Sequence, residues 1–302
     1  MRIAEIVVIH HRTPDTLARS LALLARFAPE VPVRVFDAAP LPDAAEHISR
    51  AHAGATLEPI SNHSYAAAVN HALRTARGEL VLIMNADVSI GDDTVRALAA
   101  PFRDPRVALT GPLGVTPLGR VQDQGLPYRL ATRSLRGLGP EAVCEVPWLA
   151  AFLFVARVTA ARSSGGMDAS LRFYNEDLEW CFRLRRAGWR CMLVGAEVVH
   201  LGGDATPDSG RFLVEGLRGG MVVADRYRGP IRRELQRFAL YLVAVALARL
   251  GPSERRTAWA AVARMLLAGR YDVSPFGTTL ADQAAGFPDR WPATRTESDG
   301  NQ

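Results

Sequence analysis

The sequence predicts an α/β fold, a largely parallel sheet flanked by helices with a helical C-terminal extension. Three observations carry this reading. Short β-branched apolar runs alternate with helical patterns through the first half of the chain. Acidic residues stand at the C-terminal ends of those runs, which is where open parallel sheets bind ligands. Beyond Asp225 the alternation stops and only helical patterns follow.

Residues 3–9 (IAEIVVI) read as a buried strand. Thr13-Pro14-Asp15 opens a helix with Leu17, Leu21 and Leu24 on one face. A second strand, residues 31–36, ends on Asp37 and is followed by the turn Ala38-Ala39-Pro40; a third reaches Ile60. Residues 65–76 have helical spacing, with Gly78 expected as the C-cap. Residues 80–84 (LVLIM) form a continuous apolar strand that terminates on Asn85-Ala86-Asp87. Residues 91–105 read as a surface helix between Asp92-Asp93 and Pro105. The stretch 111–139 is rich in Gly, Pro and Arg and reads as a long loop or hairpin over the site.

Strand character returns at 146–155. Gly165-Gly166 turns the chain into Phe173-Tyr174-Asn175-Glu176-Asp177, and 178–187 is an amphipathic helix closed by Gly188. A last strand, 192–199, leads to His200. The apolar stretch 235–250 carries Arg237 and Arg249 and is too short to span a bilayer, so it is expected as an interfacial or packed helix. The polar tail from Pro288 is expected to be disordered.

Composition narrows the class. The chain has 302 residues, 48% of them hydrophobic, enough to bury a large core and far from a disordered composition. All 36 basic residues are arginine, which a GC-rich genome explains without function. Ten arginines face two acids between Arg226 and Arg270, a local balance of +8; of the total of +5, the rest of the chain therefore carries −3. Such a tail suits an anionic partner or simply a solvated helix face. Cys144, Cys181 and Cys191 are odd in number and lack CxxC spacing, so a reducing, cytoplasmic setting is expected. The N-terminus enters a strand directly and is expected to carry no leader.

Several residues invite chemistry. An acid at Asp87 suits a divalent cation that bridges a diphosphate, although an Asp after a strand also commonly caps a following helix. Glu176, Asp177 and Glu179 open a helix, where the helix dipole alone would favour them; the functional alternative has one carboxylate take a proton from an acceptor hydroxyl. Asp37 could bind a base or ribose or merely form a turn. His200 could ligate metal, and His10-His11 could line a nucleotide pocket.

The order of motifs is more specific than any one of them. Residues 62–70 (NHSYAAAVN), Ala76-Arg77-Gly78-Glu79 and residues 82–88 (LIMNADV) resemble the central block of family 2 glycosyltransferases of GT-A fold. Gly165-Gly166-Met167-Asp168, residues 173–180 (FYNEDLEW) and 183–189 (RLRRAGW) resemble that family's acceptor-side block, and residues 198–203 (VVHLGG) its closing motif. The likeness runs over about residues 3–228 and is nearest to bacterial rhamnosyltransferases of cell-wall and polysaccharide assembly, whose Ala-Asp-Arg-His stretch is echoed by Ala224-Asp225-Arg226-Tyr227.

That resemblance implies a GT-A, Rossmann-like domain over 1–228, a basic helical extension over 229–287 and a tail over 288–302. It implies inverting transfer of a sugar such as L-rhamnose from a nucleoside-diphosphate donor, with Asp177 as base beside Glu176. Asp87 and His200 would hold Mn2+ or Mg2+; His10, Asp37, Asn62, Asn70 and Asn85 would contact the donor; Trp148 and Tyr174 would lie on the acceptor side. The acceptor would be a glycan, a polyprenyl-linked glycan or a small natural product. The basic tail would meet an acidic membrane at the inner face or a second copy of the chain, and no nucleic acid is expected. The chain departs from the family pattern at Asn85, which replaces the first metal acid, at His63-Ser64, at His10-His11-Arg12 and at Ala38. The loss of an acid at Asn85 also admits a nucleotide-sugar-binding protein without turnover.

Overall fold

The computed structural model describes residues 1–39, 44–61, 64–122, 126–202 and 209–277. Its first part follows the alternation of the sequence: β1 (Ile3–His10), α1 (Pro14–Phe27), β2 (Val33–Asp37), α2 (Ala44–Ala51), β3 (Ala55–Pro59), α3 (Tyr65–Thr75) and β4 (Leu80–Asn85). Pro14 sits in the first turn of α1, where its missing N–H costs nothing, and Leu17, Leu21 and Leu24 are buried. Ser64 caps α3 by accepting the Ala67 amide at 3.1 Å. Gly78 is not the cap of α3, which ends at Thr75. It is required by packing, because a Cβ there would lie 2.1 Å from the Cβ of Ala4.

Then follow β5 (Val88–Ser89), α4 (Thr94–Ala99), β6 (Val107–Val115), α5 (Leu126–Leu135), β7 (Val143–Glu145), β8 (Leu153–Arg157), α6 (Val158–Ser163), α7 (Glu176–Arg186) and β9 (Arg190–His200). The helix expected over 91–105 is confined to α4 and a 3-10 turn, Ala100–Arg103, because Pro101 cannot extend α4. The stretch 111–139 is not one long loop. Its start belongs to β6, buried along its whole length, a short turn brings Val115 beside Val121, and α5 fills the middle. Gly and Pro there mark the flanks of elements rather than their absence. The strand expected over 146–155 begins only at Leu153, and the preceding residues are irregular.

The sheet runs β3-β2-β1-β4-β8-β6-β9-β5, with β7 also paired to β9. β3, β2, β1 and β4 are parallel neighbours, as are β6 and β9. β8 enters antiparallel between β4 and β6, and β5 and β7 are antiparallel to β9. One face packs α3, α6 and α7 around Val7, Phe36, Ile83 and Phe154; the other packs α1, α2 and α4 around Ile6, Val8, Leu82 and Val35. Strands covered on both faces explain the unbroken apolar runs.

Register places the site. His10 pairs with Asp37, Ile9 with Asn85 and Asp37 with Pro59, so β1, β2, β3 and β4 end together at one edge. His200, the last residue of β9, pairs with Val88 just past Asp87. After β9 come α8 (Ser209–Tyr227), α9 (Pro230–Leu250) and α10 (Arg256–Ala268), which share a third core with Leu171 and with Leu178 and Phe182 of α7. The tail from Pro288 lies outside the described residues.

Candidate active site

A cavity of about 750 Å³ opens at the edge where the strands end. On one side it is lined by Ile9, His11, Asn85, Asp87, Gln122 and His200. Asp87 caps no helix: it lies in the tight turn between β4 and β5. Its Oδ2 accepts the Gly202 amide at 3.1 Å, and its Oδ1 faces His200 Nε2 at 3.4 Å. Burial alone would raise the Asp87 carboxyl, but the contacts to His200 and to the Gly202 amide outweigh it and hold the carboxyl below its ordinary value. His200 is fixed on two further sides. Its ring stacks on Phe152, with centroids 4.6 Å apart, and Gln122 Nε2 donates to the His200 carbonyl at 2.9 Å while Gln122 Oε1 faces Nδ1 at 2.9 Å.

That pairing sets the tautomer. Gln122 presents an acceptor to Nδ1, so Nδ1 carries hydrogen and the lone pair of a neutral ring sits on Nε2. The Nε2 lone pair then points at a carboxylate oxygen, an arrangement that needs a cation or a second ring proton between them. One imidazole nitrogen and one carboxylate form a donor set that fits Mn2+ or Mg2+ if further oxygens are supplied. Among the described residues no group of three or more His, Cys, Asp or Glu side chains is arranged for a metal ion. No arginine lines the cavity among those residues. Burial first, then Arg12 and His10, hold His11 below the ordinary histidine range despite Asp37, so this ring favours its neutral form.

The opposite wall carries the second pair of acids. α7 starts at Glu176, and the two residues before it, Tyr174 and Asn175, both adopt left-handed backbone (φ 66° and 68°). Asn175 tolerates this conformation better than most residues, and its Nδ2 donates to the Gly216 carbonyl of α8 at 2.8 Å. The neighbouring helix is shaped for it, since a Cβ at Gly219 would come 2.9 Å from Asn175 Nδ2. Asp177 is clamped by backbone: its Oδ1 accepts the Leu178 amide at 2.7 Å and its Oδ2 the Ala151 amide at 3.1 Å. Burial raises the Asp177 carboxyl despite these bonds. Glu176 is 7% exposed, and its Oε2 has no hydrogen-bond partner among the described residues. Burial, the Asp177 charge and Glu215 push Glu176 up to about 8. Tyr65 donates its hydroxyl to the Ala151 carbonyl, and burial followed by Glu176, Asp177 and Asp87 raises its ionisation well above the ordinary tyrosine value.

Around these acids the wall is aromatic. Trp148, Phe173, Tyr174 and Phe212 line the cavity. Phe276 joins from the C-terminal segment, 5.2 Å from Phe173 and 5.1 Å from Phe212 between ring centroids. That segment is held by a fully buried ion pair in α8. Arg218 donates to Glu215 at 2.8 and 2.5 Å and to the Tyr271 carbonyl at 2.9 Å, and Ser274 donates to Glu215 at 3.0 Å.

Residues 5–154, carrying β1 to β4 and the Asp87 turn, match glycosyl transferase family 2. The match to family 2 spans residues 5–154, just under half of the chain. The fold of the chain is of GT-A type. The crystal structure of GalNAc-T7 with UDP, GalNAc and Mn2+ is similar at a TM-score of 0.60 and 14% identity; the match covers 95% of this chain but only 58% of that one. A crystal structure of a mycobacterial protein is similar at a TM-score of 0.53 and 15% identity, covering 74% of each chain. At these identities the likeness speaks for the fold alone. No curated protein matches the sequence.

Within this fold the expected site residues separate. Asn85, Asp87, His200, Trp148, Tyr174, Glu176 and Asp177 all line the cavity. His10 does not: it is 1% exposed, its Nε2 accepts the Thr13 amide at 3.0 Å, and its Nδ1 meets Asp37 Oδ1 at 3.1 Å. His11 takes the lining position. Asp37 does not line the cavity either: it is fully buried and accepts the Ala39 amide at 3.1 Å, while its Oδ2 has no partner among the described residues. Asn70 is not at the cavity. Its amide is saturated by Met167, donating to the carbonyl at 2.8 Å and accepting the amide at 2.8 Å, so it ties α3 to the turn before α7. Asn62 lies outside the described residues. Gln122, Phe152 and Phe212 went unread in the sequence, and nothing local marks them, since each reaches the cavity through contacts distant along the chain.

Proposed function

We propose that this glycosyltransferase moves a sugar from a nucleoside-diphosphate donor to an acceptor hydroxyl, with inversion and with a divalent cation at Asp87 and His200. The observation that carries the reading is the facing pair of walls in one cavity. On one wall His200 Nε2 faces the Asp87 carboxylate at 3.4 Å; on the other stands a backbone-clamped Asp177. A bound cation supplies neutralisation of the charge that develops on the departing diphosphate. Among the described residues no arginine stands in the lining to do this instead, and His11 favours its neutral form.

The chain's own residues then divide the work. Asp87 and His200 would hold the cation that neutralises the donor's diphosphate, and Asn85 would add a neutral polar contact where a second acid would have added charge. Asp37 is fully buried and outside the lining, so it would act on the nucleoside side by fixing the Ala38 turn through the Ala39 amide. Asp177 takes the proton of the acceptor hydroxyl as that oxygen bonds the anomeric carbon and the bond to the diphosphate oxygen breaks, its electron pair leaving with the diphosphate. The two amides on Asp177 fix its carboxylate and restrain it from turning away. Trp148, Phe173, Tyr174 and Phe212 offer ring faces to an acceptor, which suits the apolar face of a sugar or an apolar aglycone. The presence of UDP, GalNAc and Mn2+ together in GalNAc-T7 agrees with this division.

The test is thermal stability of the full chain with UDP- and dTDP-sugars, dTDP-L-rhamnose among them, with Mn2+, with Mg2+ and with chelator. Stabilisation by one donor only in the presence of metal is expected. Equal stabilisation in chelator would overturn the role of Asp87 and His200. Donor binding without transfer to any acceptor, unchanged in Asp177→Asn, would favour a binding protein.

A further inference from the structure

α9 presents an apolar face that no described residue covers. Ile231, Leu235, Phe238, Leu242, Val243 and Leu250 are 76, 64, 61, 51, 49 and 84% exposed. Their spacing puts them on one stripe of a helix about 30 Å long. The opposite stripe is occupied, with Ala244 buried and Leu240 and Tyr241 packed against the core shared with α8 and α10. From α10, Leu267 is 66% exposed as well. Isolated exposed leucines are ordinary, but an aligned set on one helix marks an interaction surface.

The charges choose the occupant. Arg232 in the first turn and Arg249 in the last both lie on the exposed side, and the exposed positions of α9 include no acid. The one acid of α9, Glu234, is engaged by Arg233 and Arg237 at 3.1 and 2.6 Å. Arg228, Arg232, Arg255, Arg264 and Arg270 are exposed and make no ion pair among the described residues. A second copy fits this face poorly. Antiparallel pairing of two α9 helices sets Arg232 of one against Arg249 of the other, and parallel pairing sets each against itself. An anionic lipid surface fits on both counts: the apolar side chains enter the acyl boundary while the arginines extend to the phosphates. Among the described residues no helix is long and apolar enough to cross a membrane, so the contact is peripheral.

The geometry points to α9 as an interfacial helix that docks this chain on an anionic bilayer through the Ile231–Leu250 stripe. The experiment is co-sedimentation of the full chain with vesicles of phosphatidylcholine alone or mixed with phosphatidylglycerol, at low and high salt, alongside sedimentation velocity without lipid. Binding to the anionic vesicles only, weakening as salt rises, is expected. The Arg232→Gln/Arg249→Gln variant should bind roughly thirtyfold more weakly, at about fivefold per arginine. Leu235→Ser/Phe238→Ser, checked for an unchanged melting temperature, should lose binding. Absence of binding to either vesicle, binding indifferent to lipid charge, or a stable dimer that Leu235→Ser/Phe238→Ser turns into a monomer would each overturn the proposal. Vesicle binding is read without turnover, so its failure leaves the transferase reading standing.

Discussion

Asp87 and Asp177 line the same cavity, yet their surroundings pull their carboxyl groups in opposite directions. Asp87 is partly buried but answered by the His200 ring and the Gly202 amide, which keep it charged. Asp177 accepts two amides as well, but burial outweighs them and raises it. The difference lies in the histidine: His200 answers the burial of Asp87, and among the causes acting on Asp177 there is no such partner. A carboxylate held down suits a cation, whereas one held up can take a proton near neutral pH. Residue type therefore does not assign the role; the neighbour does.

The sharpest way to break this comparison is to remove each acid's charge separately. Asp177→Asn is expected to lower turnover about 10²–10⁴-fold while metal-dependent donor binding persists. Asp87→Asn is expected to lose the metal dependence of donor binding itself. Steady-state kinetics and calorimetric titration of both variants check this. Failure of the two variants at the same step would mean that the walls do not have separate roles.

The aromatic wall depends on α8, and Glu215→Ala tests how firmly. Arg218 and Glu215 are both fully buried, so removing the acid strands a guanidinium without its partner. A loss of about 3–5 kcal/mol is expected, read from a denaturant midpoint. An unchanged midpoint would show that residues 271–277 are not clamped. On the metal wall the corresponding variant is Gln122→Ala, which frees the His200 ring from the contact that sets its tautomer. Supporting contacts of this kind are worth about 10–100-fold in metal affinity, so a Mn2+ titration should weaken by that factor. No change would mean that Phe152 stacking alone orients the ring.

These walls were unequally legible in the sequence. β1 to β4 were plain because strands covered on both faces write continuous apolar runs, and their shared C-terminal edge follows from parallel register. Asp87 and Asp177 were readable only through the order of motifs, since each, taken alone, passes for a helix-start acid. Asn70 was misread because an amide can satisfy a buried backbone turn as well as a ligand, and spacing does not distinguish the two. The residues at 146–152 have strand composition but serve as irregular backbone, with Ala151 meeting both Tyr65 and Asp177. Gln122 stands 78 residues from His200 in the chain, a contact that only the folded sheet creates.

The smallest effect sharpens the comparison most finely. Glu176 is raised from an ordinary 4.5 to about 8 by burial, by Asp177 and by Glu215, so near neutrality it favours its neutral form. The folded protein then holds a proton that the unfolded chain has released. Stability attributable to this group is complete below about pH 4.5 and is lost as pH rises towards 8. Glu176→Gln keeps a neutral group of similar shape and removes that slope. The variant and the parent should melt together near about pH 5, and the variant should melt a few degrees higher near about pH 9, an effect of roughly 1 kcal/mol or more at this size. Turnover near neutrality should fall far less than in Asp177→Asn, because the parent's Glu176 already lacks its charge there. A melting difference independent of pH would mean that Glu176 is ionised throughout, and that its burial does not hold a proton on it.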